Sequence, residues 1–237
     1  MDWMLNRAIA HRGLHCGTTI PENSLSAFAA AIEQNHPVEL DIQLLADGNI
    51  VVFHDPDLER MTGRKGAIAH QTLASINALR LLDTNQHIPS LPEVLKFIRG
   101  RVPILIEIKN DGKVGTLEAA LLKAIQGYTG EFAIQSFNPY SLAWMRKHAP
   151  HIIRGQLLCS WKTVQARWVL KIVWDNLFLN WASLPHFIAY EVNALPNLPA
   201  TIANRVFQCP LLAWTIRNHA DQQHALQHAD NIIFDTF

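Results

Sequence analysis

The chain has 237 residues, of which 49% are hydrophobic and 17% charged, and its 20 basic side chains balance 20 acidic ones. This length suits a single α/β barrel, which often occupies about 200 to 250 residues, so one domain over residues 1–237 is expected. The balanced charge argues against nucleic acid as a partner, because proteins that bind the phosphate backbone usually carry a basic excess.

The cysteine content and the apolar stretches indicate the compartment. Three cysteines lie far apart, and their odd number cannot form a closed disulfide framework: Cys16, Cys159 and Cys209. Residues 1–9 include charged side chains and lack the apolar stretch of a signal peptide. No stretch reaches the roughly 20 apolar residues of a transmembrane helix. We therefore expect a soluble, cytoplasmic protein.

Short apolar runs recur along the chain with helix-like segments between them, at residues 8–10, 38–42, 103–108, 132–134, 152–153, 187–190, 211–213 and 232–234. This alternation predicts a TIM-type (β/α)8 barrel of the α/β class. Polar residues lie in or after the runs; the fifth, for example, leads into Arg154 and Gln156. Such residues meet at the mouth of a parallel barrel. Between the first two runs, Asn23 or Ser24 can cap a helix that begins near Leu25.

A ninth apolar run, residues 50–53, follows the second run after an Asp47-Gly48 dipeptide. This dipeptide favours a two-residue hairpin turn. A tight turn there would place Asp41 opposite His54 and would keep Glu39 on the same face as Asp41.

Residues 56–101 interrupt the alternation and are interpreted as a small insertion over the barrel mouth. They comprise a loop at 62–66, a helix near 72–79, and a second helix that begins at the capping-box pattern from Ser90 to Glu93.

Carboxylates and basic residues cluster on two predicted strands. Glu39 and Asp41 share one strand face, and Glu107 shares another with Lys109. Three carboxylates without a nearby cysteine form an oxygen-rich site that suits a hard divalent cation, Mg²⁺ or Ca²⁺. The alternative is that the carboxylates form ion pairs with Arg12 and Lys109 and bind no metal.

Two of the twelve histidines, His11 and His54, directly follow apolar runs and adjoin other polar motif residues. Near neutral pH one histidine can act as a general base while another acts as an acid. Six other histidines are interpreted as surface or packing residues: His15, His36, His70, His87, His148 and His151.

An ordered set of short motifs resembles the glycerophosphodiester phosphodiesterase family: His11-Arg12-Gly13, Pro21-Glu22-Asn23, Glu39-x-Asp41, Asp47-Gly48, His54-Asp55, Glu107-x-Lys109, Gln135-Ser136-Phe137 and Trp214-Thr215. The set spans nearly the whole chain. The resemblance implies a TIM-type barrel with a small insertion after the His-Asp motif. It also implies metal-dependent hydrolysis of glycerophosphodiesters to glycerol 3-phosphate and an alcohol.

The same resemblance implies roles for individual residues. Three carboxylates would hold the divalent metal: Glu39, Asp41 and Glu107. His11 and His54 would serve as general acid and base. The remaining residues would bind or enclose the substrate: Arg12 and Lys109 at the phosphate, Glu22 ordering these basic groups or adding to the metal shell, and Phe137 with Trp214 as a wall.

Residues 161–184 are apolar and carry four tryptophans on roughly one predicted helix face: Trp161, Trp168, Trp174 and Trp181. Such a face could contact a membrane interface or an acyl chain, which would indicate a lysophospholipid substrate. The alternative is a barrel helix packed on its neighbours, with a homodimer contact. Other functions left open are a lysophospholipase D-type or phosphatidylinositol phospholipase C-like phosphodiesterase, and a non-catalytic barrel that binds phosphorylated metabolites.

Overall fold

The structure is a computed structural model and describes residues 1–110, 112–159 and 180–237. The strands are β1 (Ile9–Ala10), β2 (Val38–Leu44), β3 (Ile50–Val52), β4 (Ile104–Ile108), β5 (Phe132–Ser136), β6 (Arg154–Leu158), β7 (Phe187–Glu191), β8 (Leu211–Ile216) and β9 (Asn231–Phe234). The α-helices are α1 (Asp2–Asn6), α2 (Leu25–Glu33), α3 (Glu59–Thr62), α4 (Leu73–Ile76), α5 (Leu91–Ile98), α6 (Thr116–Ala124), α7 (Pro139–His148), α8 (Asn180–Ser183), α9 (Leu198–Arg205) and α10 (His219–His228).

The sheet closes on itself. β1 pairs in parallel with both β9 and β2, and the strands between them follow one another in parallel order. β3 lies outside this ring, antiparallel to β2. A closed barrel of eight parallel strands with helices between them is the predicted TIM-type fold, which is therefore confirmed.

Side chains alternate between the barrel interior and the surrounding helices. On β2, Leu40 and Ile42 belong to a buried apolar cluster that includes Phe28 of α2. The residues between them, Glu39 and Asp41, lie on the opposite face. The interior below these carboxylates is apolar, with side chains from β1, β4 to β9 and α1 in one cluster. Each fully buried aliphatic side chain stabilises the fold by about 1.5 to 3 kcal/mol.

The fifth strand of the barrel, β6, differs from the prediction. The sequence pattern ends this strand at Ile153, whereas β6 begins at Arg154 and runs to Leu158. Gln156 is buried inside it because its amide donates hydrogen bonds to the carbonyl oxygens of Ser136 and Phe137. A polar side chain that finds partners inside the barrel can therefore occupy the middle of a strand.

The β2–β3 hairpin was predicted with the wrong turn. Ile42 pairs with Val52 and Leu44 with Ile50, so the register is shifted by one residue from the expected one. The Leu45 N–H bonds to the Asn49 carbonyl, and Gly48 adopts a left-handed φ of 81°, which leaves a three-residue loop instead of two.

Of the two predicted helix caps, one is as expected and the other lacks part of its predicted hydrogen bonding. Ser24 caps α2 as expected, with its hydroxyl accepting from the Ala27 N–H. Ser90 caps α5 by accepting from the Glu93 N–H, but the Glu93 carboxylate pairs with His87 instead of returning to Ser90.

The segment between β3 and β4 contains α3, α4 and α5. The helix expected near 72–79 is shorter, since α4 ends at Ile76. Apolar residues of this segment, including Met61 and Ile76, pack in one buried cluster with Val51 of β3 and the adjoining Phe53. The bounds 56–101 of the insertion stay a prediction.

The tryptophan-rich face predicted over 161–184 lies mostly outside the described residues, so the membrane and acyl-chain hypotheses rest on the sequence alone. Within the described parts of the chain, none of the helices combines the length and the hydropathy that crossing a membrane requires. The cytoplasmic location and the homodimer contact also stay predictions.

Candidate active site

Three buried carboxylates meet at the carboxyl ends of β2 and β4. Asp41 and Glu107 are direct neighbours in the parallel ladder, and Glu39 lies one strand period before Asp41. At most 8% of each residue is exposed. Their nearest oxygens all lie within 4.8 Å of one another. The predicted carboxylate cluster is therefore present.

The pKa values of the three carboxylates shift in different directions. Burial raises the pKa of Glu107 to about 7, and the charge of Asp41 adds to this effect. Burial, followed by repulsion from Asp41 and Glu107, raises the pKa of Glu39 well above its usual value. Burial also opposes ionisation of Asp41, but Lys109 and Arg12 outweigh it and lower the Asp41 pKa. Without a bound cation, negative charge in this cluster is therefore limited mainly by mutual repulsion and burial.

Arg12 and Lys109 contact the same carboxylates. The Arg12 Nε lies 3.3 Å from Asp41 Oδ2, and its backbone N–H donates to Glu39 Oε2 at 3.1 Å. Lys109 Nζ lies 3.1 Å from Glu107 Oε1 and 3.4 Å from Asp41 Oδ1. The predicted ion pairs thus occur, and they coexist with the close approach of the three carboxylates.

A sharp turn after β1 directs Arg12 toward the cluster. Arg12 has a φ of 55° and Gly13 a φ of 78°, both in the left-handed region. A Cβ at Gly13 would lie 2.8 Å from the backbone carbon of Ala27, so α2 passes too close for any other residue. This approach explains the glycine that follows His11 and Arg12.

Each of the two candidate catalytic histidines has its Nδ1 beside an aspartate. His11 Nδ1 lies 2.6 Å from Asp235 Oδ1, and His54 Nδ1 lies 2.7 Å from Asp55 Oδ1. Both aspartates have lowered pKa values because hydrogen bonds from their partners outweigh the effect of burial. An ionised carboxylate only accepts, so Nδ1 donates in each pair and Nε2 carries the lone pair of the neutral ring.

Burial is the largest influence on both imidazoles. It lowers the pKa of His11 despite the opposing hydrogen bond to Asp235. It also lowers the pKa of His54, against the charge of Asp41. The Nε2 atom of His11 is 4.0 Å from Glu39 Oε2, so its unprotonated edge lies beside the carboxylate cluster. Neutral histidines at this position can accept a proton near neutral pH.

Two aromatic side chains form a wall beside these groups. Phe137 and Trp214 pack edge to face with ring centroids 5.6 Å apart. Both line the same cavity as His11, His54 and Lys109. Glu22 lies farther out, where it accepts from Arg12 Nη1 at 2.8 Å. It is hydrogen-bonded to this arginine and is outside the group of three clustered carboxylates.

The sequence interpretation missed several polar contacts at the site. His15 was interpreted as a surface or packing residue, but its Nε2 lies 3.2 Å from Asp235 Oδ1, the oxygen that His11 also contacts. Arg217 Nε donates to the other oxygen of Asp235 at 3.1 Å. The one sequence signal was the position of Asp235 directly after the last strand. Its two histidine partners are more than 200 residues away in sequence, and barrel closure brings them to Asp235.

The mouth of this parallel α/β barrel thus holds side chains that suit metal-assisted cleavage of a phosphodiester: clustered carboxylates, two aspartate-bonded histidines and an arginine. Residues 11–236 match the profile of the glycerophosphoryl diester phosphodiesterase family. The chain therefore belongs to this family.

Individual relatives agree with the family match. A glycerophosphodiester phosphodiesterase of Caldanaerobacter subterraneus subsp. tengcongensis is 37% identical over 165 residues, which cover 65% of this chain and 67% of the relative. A glycerophosphodiester phosphodiesterase of Bacillus subtilis is 25% identical over an alignment that covers 97% of this chain and 83% of the relative.

Two solved structures share the fold over almost the whole chain. A phosphodiesterase of Oleispira antarctica, solved in complex with the product sn-glycerol-3-phosphate, superposes with a TM-score of 0.79 at 23% identity, covering 97% of this chain and 92% of the other. A glycerophosphodiester phosphodiesterase of Thermotoga maritima gives a TM-score of 0.75 at 24% identity, covering 97% and 95%. These likenesses support the barrel architecture.

Proposed function

We propose that the chain is a metal-dependent glycerophosphodiester phosphodiesterase that releases glycerol 3-phosphate and an alcohol. The observation that carries this proposal is the position of His11. Its Nδ1 is held by Asp235, while its Nε2 edge lies 4.0 Å from the carboxylate cluster. A proton-transfer group therefore adjoins a site that is suited to a cation, as cleavage of a charged diester requires.

Glu39, Asp41 and Glu107 are proposed to hold the metal. Two of their buried oxygens, Glu39 Oε1 and Asp41 Oδ1, lack a hydrogen-bond partner, although Asp41 Oδ1 is 3.4 Å from the Lys109 ammonium. Buried carboxylate oxygens in this state favour a bound cation. An all-oxygen donor set suits Mg²⁺ or Ca²⁺. When bound, the metal would supply positive charge to neutralise the non-bridging oxygens of the phosphate.

The basic side chains complete the phosphate site in this proposal. Arg12 contacts the phosphate, and Lys109 neutralises or orients it. Both cations already lie within ion-pair distance of Asp41, so they are held at the cluster before substrate binds. Such preorganised charge stabilises a transition state without reorganisation during the reaction. Phe137 and Trp214 enclose the glycerol or the leaving-group side.

His11 and His54 are proposed as the acid and base pair. One imidazole Nε2 takes the proton from the attacking oxygen as that oxygen bonds to phosphorus. The other histidine, already protonated at Nε2, donates that proton to the departing alcohol oxygen as the oxygen's bond to phosphorus breaks. The attacking oxygen is either water or the glycerol 2-hydroxyl of the substrate. The second route forms a cyclic phosphate that water then opens, and ³¹P NMR during turnover distinguishes the two.

The test follows glycerol 3-phosphate release from glycerophosphocholine. Turnover is expected with added Mg²⁺ or Ca²⁺, and EDTA should abolish it. A cyclic phosphate as the final product would indicate a phosphatidylinositol phospholipase C-like enzyme, and turnover of lysophosphatidylcholine alone would indicate a lysophospholipase D. Binding of glycerol 3-phosphate without turnover of any of these diesters would contradict the proposal in favour of a non-catalytic barrel.

A further inference from the structure

Arg60 in α3 connects two carboxylates at the mouth of the barrel. It donates to Asp55 from Nε at 2.6 Å and from Nη2 at 3.0 Å. It also donates to Glu22 from Nη1 at 3.0 Å and from Nη2 at 2.7 Å. One planar guanidinium thus grips two carboxylates in bidentate fashion, a geometry that fixes orientation as well as distance.

Each of these carboxylates holds a residue of the proposed active site. Asp55 Oδ1 lies 2.7 Å from His54 Nδ1. Glu22 Oε1 accepts from Arg12 Nη1 at 2.8 Å. His54 and Arg12 come from different strand ends, and the Arg60 guanidinium links the carboxylates that orient them.

We propose that Arg60 is a positioning residue that sets the His54 imidazole and the Arg12 guanidinium in a fixed relation through Asp55 and Glu22. The proposal rests on the proposed function, in which these two groups move a proton and bind the phosphate. Arg60 itself lies outside the group of side chains that line the central cavity. It therefore acts on the reaction through its two partners.

The charges and exposure in the network favour a role in geometry over one in stability. Burial would raise the pKa of Glu22, but the hydrogen bond from Arg60 and the charge of Arg12 lower it, so Glu22 is ionised. The Arg60 side chain is 48% exposed, whereas those of Glu22 and Asp55 are 14% and 15% exposed. Ion pairs with such an exposed partner contribute little to folding. Loss of Arg60 should therefore leave the barrel folded and its site misaligned.

The first test compares steady-state kinetics of the metal-loaded protein on glycerophosphocholine. Arg60→Ala is expected to lower kcat by about 10- to 100-fold through His54 and to raise KM through Arg12, because small misplacements of reacting groups have large effects. Arg60→Lys should recover little, since one ammonium cannot form both bidentate contacts. Arg64→Ala is the matched control, because Arg64 is an exposed arginine of the same segment.

Chemical rescue separates positioning from folding. About 50 mM guanidinium chloride, far below unfolding concentrations, should raise the kcat of Arg60→Ala by at least about fivefold. It should leave the kcat of wild type and of Arg64→Ala unchanged. Ammonium chloride at equal ionic strength should not rescue. In an Asp55→Asn background, Arg60→Ala should lower kcat by less than it does in wild type, because the two act through one contact.

Binding of glycerol 3-phosphate by calorimetry gives a readout without turnover. Arg60→Ala should weaken it at least about fivefold through Arg12, and Arg64→Ala should not. The proposal would be overturned if Arg60→Ala kept wild-type kinetics and wild-type affinity. It would also be overturned if Arg60→Ala lost activity in parallel with unfolding and guanidinium did not restore that activity. An inactive wild type would contradict the proposed function alone, because the affinity comparison still tests Arg60.

Discussion

His11 and Asp235 lie at opposite ends of the sequence, yet the Nδ1 of the histidine is 2.6 Å from Oδ1 of the aspartate. The parallel pairing of β1 with β9 makes this contact, since each residue directly follows its strand. Asp235 selects the imidazole tautomer and its orientation, so that Nε2 is directed at the carboxylate cluster. The residue that follows β9 is therefore part of the candidate site.

The first prediction concerns Asp235. Asp235→Asn keeps the size of the side chain but removes its charge, and because its amide can either accept from or donate to Nδ1, His11 loses its fixed tautomer. We expect kcat on glycerophosphocholine to fall by about 10- to 100-fold with a smaller change in KM. Asp83→Asn, a change at an exposed aspartate, serves as the control. Equal kcat values for the two variants would show that Asp235 does not position His11.

The second prediction concerns metal-dependent stability. A metal at about 100 times its Kd should stabilise the wild type by about 2.7 kcal/mol, a rise in Tm of roughly 5 to 10 °C. Glu107→Gln should lose this increment, while its metal-free Tm stays equal or rises because a buried carboxylate with a raised pKa has been removed. Glu33→Gln, at an exposed site, should respond like the wild type. A normal metal response in Glu107→Gln would exclude Glu107 as a ligand.

The third prediction concerns pH. Glu107 has a pKa of about 7, so it is mostly protonated at pH 6 in the metal-free protein, and burial shifts the pKa of Glu39 in the same direction. A cation must displace the Glu107 proton, so its affinity should rise at least about tenfold from pH 6 to pH 8. Calorimetry in buffers of different ionisation enthalpy should detect proton release at pH 7. Affinity that is independent of pH, with no protons released, would argue for a different site.

The fourth prediction concerns the turn after β1. Gly13→Ala combines a left-handed φ of 78° with a Cβ only 2.8 Å from the Ala27 backbone, so it should reduce the free energy of unfolding by about 2 to 4 kcal/mol. Gly17→Ala has a positive φ of 49° but nothing within 4 Å of the added Cβ. Its free energy of unfolding should fall by only about 1 kcal/mol. Denaturant unfolding measures both, and equal losses would mean that α2 does not restrict the turn.

The barrel and its carboxylates were predictable because they depend on local patterns. Alternation along β2 places Glu39 and Asp41 on one face, and a similar strand carries Glu107. Parallel pairing then brings Asp41 beside Glu107 with no further information needed. Strand periodicity and polar strand ends therefore predict much of the candidate metal site.

The hairpin shows where local patterns are insufficient. An Asp-Gly pair suits a two-residue turn, but it equally suits a three-residue loop with glycine in the left-handed position. The structure has the second, so Phe53 lies opposite Asp41 and its N–H donates to the Asp41 carbonyl at 3.0 Å. His54 still lines the site cavity because the ladder ends at Val52 and the chain leaves the sheet. The expected neighbourhood was correct although the register was wrong.

The contacts of His15 and Arg60 were not predictable from sequence. His15 meets Asp235 only because the barrel closes, and Arg60 meets Glu22 only because the segment after β3 folds back toward the first loop. Neither contact leaves a spacing or periodicity signal. Side chains that orient other side chains depend on tertiary structure in a way that strand-end motifs do not.

The most direct test of metal-dependent catalysis at this site is kcat for glycerol 3-phosphate release from glycerophosphocholine, measured in parallel for wild type, His11→Ala and the control His151→Ala, a change at an exposed histidine. With saturating Mg²⁺ or Ca²⁺, the kcat of His11→Ala should fall at least about 100-fold, whereas that of His151→Ala should stay within a few-fold of wild type. EDTA should abolish the wild-type rate. Full activity of His11→Ala, or an undiminished wild-type rate in EDTA, would contradict the account.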